Sequence, residues 1–254
     1  MSRKIPSKLE AEPIIEAIIE IRVKASAPLS DVLPGLLLPM LGEHAGTIER
    51  LPAASVPKQL RDNDPNFIYQ PLVRMGLDDD YRLMIGDASV VLVCPEKYPS
   101  GVEFKQKAVE VFSSIFDAPK VIKEVLRFSI KYTDFIEEGY YENFADFLKV
   151  EASFGESGIN ELNGFNIQFS IPEGLTTNLV SIITPADVKK NTEETSRKGL
   201  VIEVDSIRKV SNLGVSEFKN SFPQLLDELH FVSKKKFFSL LTDEALIKLG
   251  ASYE

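Results

Sequence analysis

The stretch Ile14-Ile15-Glu16-Ala17-Ile18-Ile19-Glu20-Ile21-Arg22-Val23-Lys24 decides the architecture. On an extended chain, Ile15, Ala17, Ile19, Ile21 and Val23 fall on one side and Glu16, Glu20, Arg22 and Lys24 on the other. A helix would gather Ile14, Ile15, Ile18 and Ile19 on one face. Five isoleucines and a valine within ten positions nevertheless favour a pleated strand, where branched side chains pack well. The stretch reads as a strand with one greasy and one charged face.

Residues 125–135 repeat the pattern. Leu126, Phe128, Ile130 and Tyr132 alternate with Arg127, Ser129, Lys131 and Thr133, which predicts a one-sided strand of an antiparallel sheet. Further strands are expected at 67–75, 81–85 and 88–93, with Gly86-Asp87 as a tight, glycine-led hairpin between the last two. Three more follow at 165–171, 178–183 and 199–206. A helix over 102–116 is predicted from the stripe Phe104, Ala108, Val111, Phe112 and Ile115. Ser30 is expected to cap an apolar helix reaching Leu41 and stopped by Gly42, and a short helix is expected at 143–148. Phe218, Phe222, Leu225, Leu226 and Leu229 mark a long C-terminal helix, continued by Phe237, Phe238, Leu240 and Leu241. Thr242 then caps a last short helix with Asp243 and Glu244 in its first turn and Gly250 at its end. Residues 51–66 and 189–198 read as loops, and the cluster Asp78-Asp79-Asp80 as a solvated turn.

The order of these elements predicts an α+β fold and argues against a doubly wound parallel sheet. Two similar-sized halves, 1–140 and 141–254, are expected, each a mostly antiparallel sheet backed by helices; one continuous domain is the alternative.

Composition bounds the chemistry. Of 254 residues, 44% are hydrophobic and 26% charged, the balance of a globular protein; sixteen Phe and no Trp predict a core of Phe, Leu, Ile and Val. A net charge of −9 argues against general nucleic-acid binding and against an anionic membrane surface. No apolar run approaches the roughly 20 residues of a membrane span, and residues 1–20 hold no uninterrupted apolar core of a signal peptide. Cys94 is the only cysteine, so no internal disulfide forms; following Val90-Val91-Leu92-Val93, it reads as a buried, inert thiol. A soluble cytoplasmic protein is expected.

In order along the chain, several segments resemble a sporadically distributed bacterial protein family. They are Ala11-Glu12-Pro13-Ile14-Ile15-Glu16-Ala17 with Glu20-Ile21-Arg22, then Arg127-Phe128-Ser129-Ile130-Lys131-Tyr132, then Val201-Ile202-Glu203-Val204-Asp205. Leu229-His230 and the run Phe237-Phe238-Ser239-Leu240-Leu241-Thr242-Asp243-Glu244-Ala245 complete the set. The family pattern would place an apolar residue and Asn where this chain has Thr133-Asp134. The resemblance implies no reaction, cofactor or substrate.

The candidate reactive groups are few. His230 could act as a general base with Asp227 or Glu228, but residues two apart on a helix do not share a face; an edge-of-core histidine explains it better. His44 lies in a Gly42-Glu43-His44 turn without a second ligand, so no metal site and no cofactor are expected. Glu16 and Glu20 share one strand face and Glu203 and Asp205 another, and converging faces could do acid–base or Mg²⁺ chemistry. Outward strand faces carry charge by default, and Arg22, Lys24, Arg208 and Lys209 stand close enough in sequence to neutralise these acids. Neither a nucleophile elbow nor a phosphate-binding glycine loop occurs. Lys234-Lys235-Lys236 before Phe237-Phe238 could form a partner-docking patch, although a helix packing its phenylalanines on a sheet explains the same letters.

The reading these observations favour is a non-catalytic protein that binds another macromolecule, a protein partner, through a sheet surface or the C-terminal helix. A carboxylate-dependent enzyme using Glu16, Glu20, Glu203 or Asp205 is the alternative. A structural homodimer subunit is the third, since exposed sheet edges invite pairing.

Overall fold

Ile14 to Ala25 do form a strand, and its buried residues are Ala17, Ile19, Ile21 and Val23, the greasy side of the alternation. The structure is a computed structural model and describes residues 4–41, 48–78, 80–95, 98–117, 121–189 and 195–253. The elements begin with β1 (Lys8–Leu9), β2 (Ile14–Ala25), α1 (Leu29–Leu41), β3 (Ile48–Arg50) and α2 (Lys58–Asn63). They continue with β4 (Pro71–Gly76), β5 (Arg82–Gly86), β6 (Ser89–Cys94), α3 (Gly101–Asp117), β7 (Ile122–Glu137) and α4 (Phe144–Phe147). The chain ends with β8 (Ser153–Phe154), β9 (Ser157–Gly158), β10 (Phe165–Glu173), β11 (Thr176–Val188), β12 (Arg197–Lys209), α5 (Val215–Leu240), α6 (Asp243–Lys248) and β13 (Ala251–Ser252).

The fold is α+β. Nine strands form one sheet in the order β10-β11-β12-β7-β2-β6-β5-β4-β3; β1 pairs with β13 and β8 with β9 in two small ribbons. The chain condenses into two compact units, each drawn from separated stretches. Unit 1 takes Met1–Ile15, Lys131–Ser206 and His230–Glu254; unit 2 takes Glu16–Ile130 and Ile207–Leu229.

In unit 2, β2 pairs antiparallel with β6 in the register Ile19↔Leu92, and β6 is buried on both faces. The buried stripe of α3 is Phe104, Ala108, Val111, Phe112 and Ile115, the five residues whose helical spacing marked it. Aromatic rings bind the layer together: Phe112 meets Phe222 edge-on at 5.6 Å, and Phe128 meets Phe218 at 5.6 Å. In unit 1 the core combines Val180, Ile182, Leu200, Ile202 and Val204 from the strands with Phe237, Phe238 and Leu246 from the C-terminal helices and Leu241 and Leu249 just beyond their ends. Thr242 caps α6 by accepting from the Ala245 amide, and Gly250, at φ +67°, ends that segment in the left-handed region glycine favours.

Several local expectations need correction. Residues 51–66 are not loop throughout: Pro52–Ser55 form a 3₁₀ turn and Lys58–Asn63 a helix, because Pro52 and Pro57 stand where helices start rather than where they break. Ser30 is not a cap. It lies inside α1, and its hydroxyl donates to Asp87 Oδ1 at 2.5 Å, while Pro34 and Pro39 also sit within the helix. The strand expected from residue 67 begins at Pro71, after a turn in which the Gln70 amide donates to the Phe67 carbonyl. Gly86 does not lead its hairpin, since it belongs to β5 opposite Pro71 and the turn is Asp87-Ala88. A Cβ at 86 would lie 2.6 Å from the Gln70 carbonyl oxygen, so close backbone approach explains this glycine. Finally, β7 is not one-sided along its length, because Tyr132 through Ile136 are all buried. His44, Gly42, Asp79 and residues 190–194 of the expected 189–198 loop lie outside the described residues, and Arg197 and Lys198 already belong to β12.

Candidate functional site

Two of the four carboxylates singled out by strand-face spacing, Glu20 and Glu203, are tied down by cations. Glu20 Oε2 accepts from Arg22 Nε at 3.0 Å and from Arg127 at 2.6 Å, and all three side chains are largely buried. Glu203 Oε1 accepts from Lys131 Nζ and from the Thr133 hydroxyl, each at 3.2 Å. Of the cations that sequence proximity offered, Arg22 serves this purpose for Glu20, while Lys24 pairs with Glu124 and Arg208 with Glu228. The others, Arg127 and Lys131, come from β7, and such a cross-strand partner has no signature in linear spacing. Glu16 and Asp205 are half-buried on β2 and β12. Among the described residues, no group of three or more His, Cys, Asp or Glu could hold a metal ion.

His230 Nδ1 lies 2.9 Å from the Tyr132 hydroxyl, with the rings edge-on at 5.8 Å. The acids nearest to it in sequence are engaged elsewhere, Asp227 with Lys105 and Glu228 with Arg208. Cys94 is buried, and burial pushes its thiol up to about 11, with the Asp80 and Asp78 carboxylates adding to the rise. A thiol so protonated is a poor nucleophile at neutral pH.

The basic run is equally engaged. Lys234 Nζ donates to the Ser7 carbonyl at 3.0 Å, and Lys235 and Lys236 meet Glu173 at 2.6 and 3.7 Å. Hydrogen bonding from Lys235 accordingly lowers the Glu173 pKa. Phe237 and Phe238 are each only 7% exposed, in the core of unit 1.

Two buried polar side chains were not revealed by spacing, one on β7 and one on α5. Asp134 on β7 is 3% exposed, and burial first, then the Glu12 carboxylate, raises its pKa well above the usual range. Ser233 is 1% exposed, on the same stripe of α5 as His230 and Phe237, and its hydroxyl has no hydrogen-bond partner among the described residues. In unit 2 a cleft of about 700 Å³ is lined by Lys24, Lys58, Arg61, Tyr69 and Asp87 among others. Its cations are paired with Glu124, Asp62 and Asp87 respectively.

The feature with unspent binding capacity is a strand edge. β10 ends the nine-strand sheet, and among the described residues no strand pairs with its outer side. Phe165, Ile167 and Phe169 pack against the unit 1 core, while Asn166, Gln168 and Ser170 are exposed. The inner side pairs with β11 without a bulge from Phe165↔Thr184 to Glu173↔Thr176. Gly174, at φ +60°, leads the two-residue turn Gly174-Leu175, the geometry of a type II′ hairpin. In such a hairpin the pair flanking the turn is hydrogen-bonded, so Glu173, Ile171, Phe169, Ile167 and Phe165 bond inward to β11. The main-chain groups of Asn166, Gln168, Ser170 and Pro172 therefore point outward, which fits a proline whose missing N–H lies on the open side.

Edges of this kind are normally blunted by charge, brevity or bulges. The opposite end of the sheet is blunted in that way: β3 has three residues, all exposed, two of them Glu49 and Arg50. By contrast, Phe165 to Pro172 holds no charged side chain. No family model matches the chain, and no curated protein is significantly similar to it.

Proposed function

We propose that this is a non-catalytic protein-binding protein that engages its partner by strand addition to the outer edge of β10. One observation carries the reading: a long, regularly paired edge strand, uncharged from Phe165 to Pro172, with three amide donors and four carbonyl acceptors directed away from its own sheet. Main-chain hydrogen bonds of a second extended chain supply affinity in this mode, and alternate side chains supply selectivity. Of the residues flagged as chemistry, Glu20, Glu203, Lys235 and Lys236 are held in internal ion pairs, which favours binding over the carboxylate-enzyme reading. A single buried thiol suits a reducing compartment, and we place the protein in the cytoplasm. Among the described residues no helix is long and apolar enough to cross a membrane.

Gln168→Pro tests the reading. It deletes one outward amide and leaves the β10–β11 main-chain bonds in place, because the main chain of residue 168 does not bond inward; one side-chain bond, from Gln168 Nε2 to the Ser181 hydroxyl, is lost with it. Partners captured from host extract by the wild-type chain should be lost with Gln168→Pro at an unchanged circular dichroism spectrum. Equal recovery by the two proteins would overturn strand addition at this edge.

A further inference from the structure

We infer that the occupant of the β10 edge is a second copy of the same chain, paired antiparallel about a two-fold axis through Gln168. The inference rests on the strand-addition reading and names its partner. The sequence from Phe165 to Ile171 is nearly its own mirror in chemistry. A two-fold at Gln168 sets Phe165 opposite Ile171, Asn166 opposite Ser170, and Ile167 opposite Phe169, with Gln168 facing itself. Apolar therefore meets apolar and amide or hydroxyl meets its like, and cross-strand pairs of this kind stabilise sheets.

The outward main-chain groups select this register. Residues 166, 168 and 170 each offer a donor and an acceptor, and pairing 166 with 170 and 168 with 168 satisfies all of them in narrow hydrogen-bonded pairs. A two-fold at Phe169 would set Asn166 against Pro172, which has no N–H to give; that register forfeits bonds. Charge points to the same occupant. Two chains of net charge −9 repel, so a self-contact has to use a surface free of acids. The only acid in β10, Glu173, is held by Lys235 and Lys236.

Cysteine cross-linking reads the register directly. The narrow pair at Gln168 would bring two Cα atoms to about 5.5 Å, inside the range a disulfide spans. Copies of Asn166 would be offset by four residues, about 14 Å along the strand, and out of reach. Buried Cys94 does not compete. Under mild oxidation Gln168→Cys should form a covalent dimer and Asn166→Cys should not; equal cross-linking of the two overturns the two-fold at Gln168. By light scattering over a dilution series, the wild-type chain should run at twice its monomer mass and Gln168→Pro at half the wild-type value. A wild-type chain monomeric throughout, with host partners still lost in Gln168→Pro, overturns the dimer and leaves strand addition standing. A dimer that survives Gln168→Pro unchanged also overturns the inference, because it must use another surface.

Discussion

Asp134 is a carboxyl group placed where a carboxylate is costly. It is buried on β7, the Glu12 carboxylate lies near enough to add repulsion, and its folded pKa stands well above the ordinary value. In the unfolded chain an aspartate titrates near about 3.9. As pH rises from that value towards the folded pKa, the unfolded chain gives up a proton that the folded protein keeps, so this residue's effect on stability becomes steadily more unfavourable. Below about pH 3.9 both states are protonated and the penalty vanishes. Asp134→Asn should therefore raise the melting temperature at pH 8 by about 3 °C or more, with little effect at pH 4, as followed by circular dichroism. A variant less stable than wild type at pH 8 would mean that the carboxylate is needed in its charged form.

At the scale of elements, the β10–β11 hairpin makes a directional claim: odd-numbered residues bond inward and even-numbered ones outward. Proline reads that parity. Ile167→Pro removes a ladder donor and should cost about 3 kcal/mol or more in chemical denaturation, whereas Gln168→Pro should cost a small fraction of that. The reverse ranking would exchange the two sides of the strand. Elements announced by period were legible in the chain itself. α3 buries all five side chains its spacing indicated, β2 buries four of its five, Ala17, Ile19, Ile21 and Val23, and α5 four of its five, Phe218, Phe222, Leu226 and Leu229. What misled was proline and glycine taken only as punctuation. Pro52 and Pro57 begin helical turns, and Gly86 answers to a carbonyl approaching from Gln70, a contact made only once the strands have paired.

Across the molecule, the candidate site was harder to read than the fold, for a physical reason. Strand order is set by long-range pairing, and nothing local to Phe165–Glu173 says that it ends the sheet while β6 lies inside it. The alternation of β10 was visible; its unpaired side was not. Similarly, Arg127 lies 107 residues from Glu20 and Lys131 lies 72 from Glu203 in sequence, beyond any spacing rule, whereas Arg22 beside Glu20 was within reach of one. The charge distribution gives a test on the same scale. If two chains of −9 meet through an uncharged edge, added salt screens their net repulsion and removes no interfacial ion pair. Dimer affinity measured by sedimentation should rise or hold as salt goes from about 0.05 to about 0.5 M, and a steep loss would place ion pairs in the contact.

The two ends of the sheet are unlike, and that asymmetry limits growth. A strand edge that accepts its own kind could propagate without end if the far side of the sheet were equally receptive, which is how fibres form. Here the far end of the nine-strand sheet is β3, three exposed residues that include Glu49 and Arg50, so among the described residues that sheet offers no second long uncharged edge to recruit a third chain once two β10 strands have met. Lengthening or neutralising β3 would turn a closed pair into an open-ended polymer.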